Sequence, residues 1–171
     1  IDRTAITSNY SLTATRPLGE RFQFSTTVSA FQIGPTVASG GVPAQPGTGL
    51  SPAFQAQVYG SNLWRNGDFN VLSVAYADTE AGKIASLGLT NRMPIGGGAW
   101  RLGPRLTVDR RTLISDGSTD LSFVPSVLLD YQRGQRLLQF EAGGQIGKRD
   151  NSVQTQETKR YYVSLAYRIG F

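Results

Sequence analysis

Three carboxylates and five arginines in the second half of the chain are the groups whose types and spacing suggest chemistry. Asp109, Asp130 and Glu141 fall in successive alternating stretches, accompanied by Arg92, Arg101, Arg105, Arg160 and Arg168. A carboxylate pair such as Asp130 and Glu141 is the apparatus of general acid–base catalysis, with one group protonated and the other ionised. That division needs surroundings that push the two pKa values apart, whereas nearby guanidinium groups hold both carboxylates ionised. The chain has no histidine and no cysteine, which removes Ser-His and Cys-His nucleophiles, thiolate zinc sites and disulfides. No catalytic, cofactor-binding or metal site is therefore expected. The eight charges suit instead the lining of a passage, as a constriction that guides an anionic solute or polymer. A plainer use is internal pairing, in which arginines and carboxylates neutralise one another and fill a narrow interior. Left unpaired in a dry interior, such charges are costly.

Both uses require elements that bring the eight residues to one surface. Period-two alternation recurs along the chain and helical periodicity is nearly absent, so the elements are strands. Nine are expected, over residues 4–15, 21–33, 51–64, 69–78, 84–95, 99–113, 120–133, 136–149 and 158–171. Several reach ten residues or more, which is the length of a tilted strand crossing a bilayer, against about five or six for ordinary soluble strands. Short turns are expected at 16–20, 65–68, 96–98 and 134–135, with Asn66-Gly67 the clearest hairpin signal. Longer polar connections are expected at 34–50, 79–83, 114–119 and 150–157, of which 79–83 is only marginally long. Bacterial outer-membrane barrels show this alternation, with short periplasmic turns and longer external loops. The Gly/Pro-rich, uncharged stretch 34–50 reads as a surface loop, although it has the length to fold into a lumen or to meet an external partner.

The alternation sorts the side chains. Ile6, Tyr10, Leu12 and Ala14 would face lipid while Thr7, Asn9, Ser11 and Thr13 face a lumen. Leu121, Phe123, Val127, Leu129 and Tyr131 oppose Ser122, Ser126, Asp130 and Gln132. Leu138, Phe140, Ala142 and Ile146 oppose Gln139, Glu141, Gly143 and Gln145. Strand 69–78 is ambiguous, and Leu72, Val74 and Tyr76 are assigned to lipid. Phe22, Phe24, Trp64, Phe69, Trp100, Tyr131 and Phe171 gather near the short turns, as an interfacial girdle would. Pro104 and Pro125 interrupt two strands on the lipid side, and local bulges are expected there.

The last eleven residues, Tyr161 to Phe171, carry Val163, Leu165, Tyr167, Ile169 and Phe171 at alternate positions. This segment resembles the C-terminal signature of Gram-negative outer-membrane proteins, in which a terminal aromatic follows alternating apolar residues. The resemblance implies recognition of the last strand by the barrel-assembly machinery. The ending is also loosely similar to the close of envelope proteins in which periplasmic helical repeats precede a barrel, proteins that export polysaccharides or act on surface lipoproteins.

Composition fits this reading. Only 17% of residues are charged and 39% are hydrophobic, with 20 glycines, and a barrel strand averages to near-neutral hydropathy. The net charge of +5 comes from scattered arginines without a basic cluster, which argues against nucleic acid as a partner. If the strand before the last connection ends outside, the last strand ends in the periplasm and the first runs inward. An odd count of strands, where such barrels use even numbers, then implies a missing upstream strand. An opening Ile1-Asp2-Arg3 without Met implies a removed signal peptide or the C-terminal part of something longer. A complete eight-stranded barrel preceded by a plug or tail is the alternative.

The expectation is thus an all-β, antiparallel up-and-down transmembrane barrel over residues 1–171, the C-terminal portion of a larger barrel in the bacterial outer membrane. It would pass or export a solute or polymer. Its partners would be outer-membrane lipid, the assembly machinery, and an exported polymer or other envelope subunits. A small plugged barrel serving as anchor or scaffold is the rival, and a soluble β-sandwich the third reading.

Overall fold

The computed structural model describes residues 4–151 and 153–170. The chain forms one antiparallel sheet in which each strand pairs with its neighbours in sequence. The strands are β1 (Thr7–Leu18), β2 (Phe22–Ile33), β3 (Ser51–Ser61), β4 (Phe69–Thr79), β5 (Gly82–Ile95), β6 (Trp100–Leu113), β7 (Thr119–Arg133), β8 (Arg136–Asp150) and β9 (Thr155–Ile169). A single 3₁₀ turn, Gly96–Gly98, lies between β5 and β6. All nine expected strands are present. β1 and β9 are not paired with each other, and because the number of strands is odd the two edges run in the same direction.

Register fixes the faces, since residues paired across antiparallel strands share a side of the sheet. Tyr10, Leu12 and Ala14 of β1 lie on the side of Phe24, Val28 and Ala30 of β2, and the row passes through Phe54 and Val58 to Tyr76 and Leu72. It continues through Leu87 and Leu89, Val108 and Leu106, Phe123 and Val127, Phe140 and Ala142, to Leu165 and Val163. A band of apolar side chains thus crosses all nine strands on one side of the sheet, with Arg16, Lys83, Arg110, Lys148 and Lys159 of the same side toward the strand ends. The ambiguous strand is settled as well: Leu72, Val74 and Tyr76 belong to this side because their partners Val58, Ala56 and Phe54 do.

Nothing among the described residues covers that side. Among the described residues no apolar side chain is buried, and Leu12, Val28, Leu72, Leu89, Val127, Phe140 and Leu165 are all exposed. The accessible surface is 12006 Å², whereas a folded soluble protein of this mass exposes about 8,200 Å².

Several local expectations need correction. The first strand ends three residues later than read, at Leu18, because the reversal is made by Gly19 at φ 75°. The connection at 79–83 is a two-residue turn, Glu80-Ala81, and Gly82 opens β5 at φ 153°. Conversely, the turn read at 65–68 is a wider excursion, residues 62–68. The alternation of short and long connections is therefore not kept. Phe69 leaves the proposed girdle: it lies on the other side of the sheet, its ring stacked on Tyr59 at 6.0 Å. Trp100 and Tyr131 do meet on the apolar side, with centroids 4.6 Å apart.

The prolines do not make bulges. Pairing between β5 and β6 stops at Thr90↔Arg105 and resumes at Met93↔Leu102, leaving two residues on each strand. Between β7 and β8 it stops at Phe123↔Ile146 and resumes at Ser126↔Gly143, again with two on each. A bulge sets two residues against one, so these are in-register gaps. The missing proline N–H removes a bond to one neighbour, while Pro104 and Pro125 keep their places opposite Val127 and Leu106 on the other.

The stretch 34–50 is tethered at several points. Thr36↔Gln45 and Ser39↔Val42 form a small ladder within it. Gly34 N–H donates to Ile6 O at 2.7 Å, Thr48 N–H to Ile33 O at 2.8 Å, and Gly49 N–H to a Glu80 carboxylate oxygen at 2.8 Å.

Candidate functional site

The other side of the sheet holds all eight charged residues singled out by the sequence. Arg101 stands opposite Asp130, Arg105 opposite Ser126 and Asp109 opposite Ser122; Asp130 stands opposite Gln139 and Leu128 opposite Glu141. Gln145 faces Arg160 and Leu137 faces Arg168. Arg92 lies on the same side, level with Gly103 in the gap between Thr90↔Arg105 and Met93↔Leu102. Of the residues read as an assembly signal, Val163, Leu165, Tyr167 and Ile169 occupy the apolar side of β9 and are exposed. Phe171 lies outside the described residues.

Side chains on the polar side divide by strand. β1 to β4 present hydroxyl and amide groups with no charge, including Asn9, Ser11, Thr13, Ser25, Gln55 and Gln57. Hydrogen bonds run between strands here, as in Thr13 Oγ1 to Thr27 Oγ1 at 2.9 Å and Thr15 Oγ1 to Ser25 Oγ at 3.2 Å. Every charge on this side stands on β5 to β9. Seven are arginines and four are carboxylates, the sequence having overlooked Arg111, Asp120 and Arg149.

The expected network of neutralising pairs is mostly absent. Arg92 pairs with Asp130, two strands away, rather than leaving it to Arg101 directly opposite. Asp130 is 2% exposed and also accepts a hydrogen bond from Gln139 Nε2 at 3.0 Å. Glu141 accepts one from Tyr162 Oη at 2.9 Å, and pairs with no arginine among the described residues. Tyr162 lies over Gly143, where a Cβ would stand 2.7 Å from its ring. Arg101, Arg105, Asp109, Arg160 and Arg168 form no ion pair or side-chain hydrogen bond with a described residue. Asp130 and Glu141 thus each have a partner of their own among the described residues.

Two polar clusters at the ends of strands were not foreseen. Arg149 reaches Asp116 at 3.0 Å, Ser118 Oγ at 3.1 Å and Asp120 at 3.6 Å, clasping the β6–β7 connection to β8. The Ser118 hydroxyl and N–H, with Arg149, hold Asp116 below its ordinary value. At the opposite end Asp68, also 2% exposed, accepts N–H bonds from Leu63, Trp64 and Arg65 at 2.9, 2.7 and 3.1 Å. Burial alone would raise its pKa; the three backbone donors and Asn70 outweigh it and lower it. Asx-type capping by an aspartate is legible in principle, but only once the turn is known to begin at Asn62, whose φ is 56°.

Comparison with protein families, curated proteins and solved structures finds no match to the chain.

Proposed function

We propose that this sheet is part of the wall of a β-barrel in the bacterial outer membrane, with the apolar side toward lipid and the polar side lining a passage. The observation that carries this reading is the uncovered apolar side of all nine strands, exposed and without a protein layer over it. A soluble antiparallel sheet buries one face, whereas a transmembrane barrel exposes its apolar face to acyl chains and alternates it with a polar interior. The free edges support a barrel larger than this sheet. β1 and β9 run in the same direction, so antiparallel closure requires an odd number of further strands between them. A wider barrel leaves room for water, which eight strands do not.

The passage would carry a solute or a polymer across the outer membrane. Arginines without an ion-pair partner among the described residues and hydroxyl ladders suit a wet interior better than the plugged anchor, which needs its charges neutralised internally. Alternating apolar residues of β9 and its free edge suit recognition by the barrel-assembly machinery.

The test is direct. The full natural protein should fractionate with outer membranes, need detergent for extraction, and give discrete conductance steps in planar bilayers. Release into buffer without detergent would overturn the membrane reading, and a membrane-inserted protein with no conductance would leave the anchor in its place.

A further inference from the structure

The arginines of the polar side are not scattered. Arg168 stands level with Leu137, and one rung on Arg101 stands level with Asp130, Gln139 and Ala166. Arg92 shares the next rung with Glu141 and Ser164, Arg105 the next with Ser126 and Tyr162, and Arg160 the next with Gln145. Five consecutive rungs across β5 to β9 thus carry one arginine each. Same-side positions two residues apart are about 6.8 Å apart along a strand, so the series runs roughly 27 Å, which at a barrel's tilt covers most of an apolar band about 25 Å tall.

We infer that this ladder conducts anions bearing carboxylate or phosphate oxygens, stepping from one guanidinium to the next. The inference rests on the passage reading above. Three features point to it. Four of the five arginines, Arg101, Arg105, Arg160 and Arg168, have no ion-pair partner among the described residues. The three lysines of the chain, Lys83, Lys148 and Lys159, all lie on the apolar side of the sheet, so the polar side uses only the planar fork that matches an oxyanion. The polar side of β1 to β4 in the same sheet is uncharged, offering hydrogen bonds without competing carboxylates. Several weak equivalent sites in a row, rather than one tight one, are what conduction requires.

The experiment is a reversal-potential measurement on the full protein in planar bilayers under a KCl gradient. Chloride should permeate in preference to potassium by a factor on the order of 3 or more, and millimolar inorganic phosphate should slow the chloride current. The double variant Arg105→Gln, Arg160→Gln should lose most of the preference and the phosphate effect, while Arg105→Lys, Arg160→Lys should keep the preference and weaken the phosphate effect. Asp109→Asn, which leaves every arginine in place, should raise the anion preference. Heat-modifiable mobility on gels checks that each variant is assembled. Channels that prefer potassium, or a preference unmoved in both the glutamine double variant and Asp109→Asn, overturn the ladder while leaving the passage intact. Absence of any channel removes the passage itself and the ladder with it.

Discussion

At the scale of single residues, carboxylates stand at the points where the sheet's polar groups are concentrated. Asp68 organises a turn of seven residues by accepting three backbone N–H groups and the Asn70 amide. Its pKa is lowered on folding, so its stabilisation is complete above the unfolded value of about 4 and is lost as pH falls through the depressed folded value. Urea midpoints in lipid vesicles should therefore drop between pH 5 and pH 2 more in the parent than in Asp68→Asn, which should already be less stable at neutral pH. Asp130 presents a different case. Removing it in Asp130→Ala strands Arg92 and the Gln139 amide, at a cost of about 1–3 kcal/mol, measurable as a lower urea midpoint; Arg101→Gln, which breaks no bond, should cost far less. The sequence placed Asp130 on the right side but not its partner. Cross-strand partners depend on register, register depends on turn length, and several turns differ from their expected lengths.

At the scale of elements, the strands were legible because a strand with one apolar and one polar side shows its period in nearly every residue. Leu121-Ser122-Phe123 and Leu138-Gln139-Phe140-Glu141 read without help from tertiary structure. Phe69 misled because its nearness to a turn grouped it with the girdle, whereas Leu72, Val74 and Tyr76 on the apolar side put Phe69 on the other by parity. The Glu80-Ala81 turn was read as a loop because Gly82 gives no sign in sequence that it belongs to the strand. Its φ of 153° and the absence of a side chain are both needed, since a Cβ would stand 2.2 Å from Thr112 O. Gly82→Ala should cost about 1–3 kcal/mol and loosen the β4–β5 and β5–β6 ladders near the turn, which hydrogen exchange at Thr79, Lys83 and Leu113 would register. Gly82→Ala with unchanged exchange there would mean that the turn relaxes freely.

At the scale of the whole molecule, the two sides of the sheet make opposite demands on a new charge. Leu89 and Thr90 are adjacent in β5 and face opposite ways. Leu89→Lys should cost roughly 2–4 kcal/mol in vesicles, as a cation near the bilayer midplane does, and should reduce assembly in cells. Thr90→Lys should cost little and shift ion selectivity toward anions. Equal tolerance of both would place both sides in water. The sequence showed which residues share a side, and its count of nine strands already implied two edges that run the same way; the tilt of the strands is not legible, because no local period encodes it.

The missing apolar interior has one more consequence. In a soluble protein, side chains provide the medium that excludes water, so the chain carries its own means of collapse. Here Val28, Leu72, Leu89, Phe123, Phe140 and Leu165 are exposed, with no described residue burying them, and in the proposed membrane setting the excluding medium would come from the surroundings. In that setting the thickness, packing and fluidity of the acyl chains would take the place of core mutations. The same polypeptide should become more or less stable as the lipid is changed, with no residue altered.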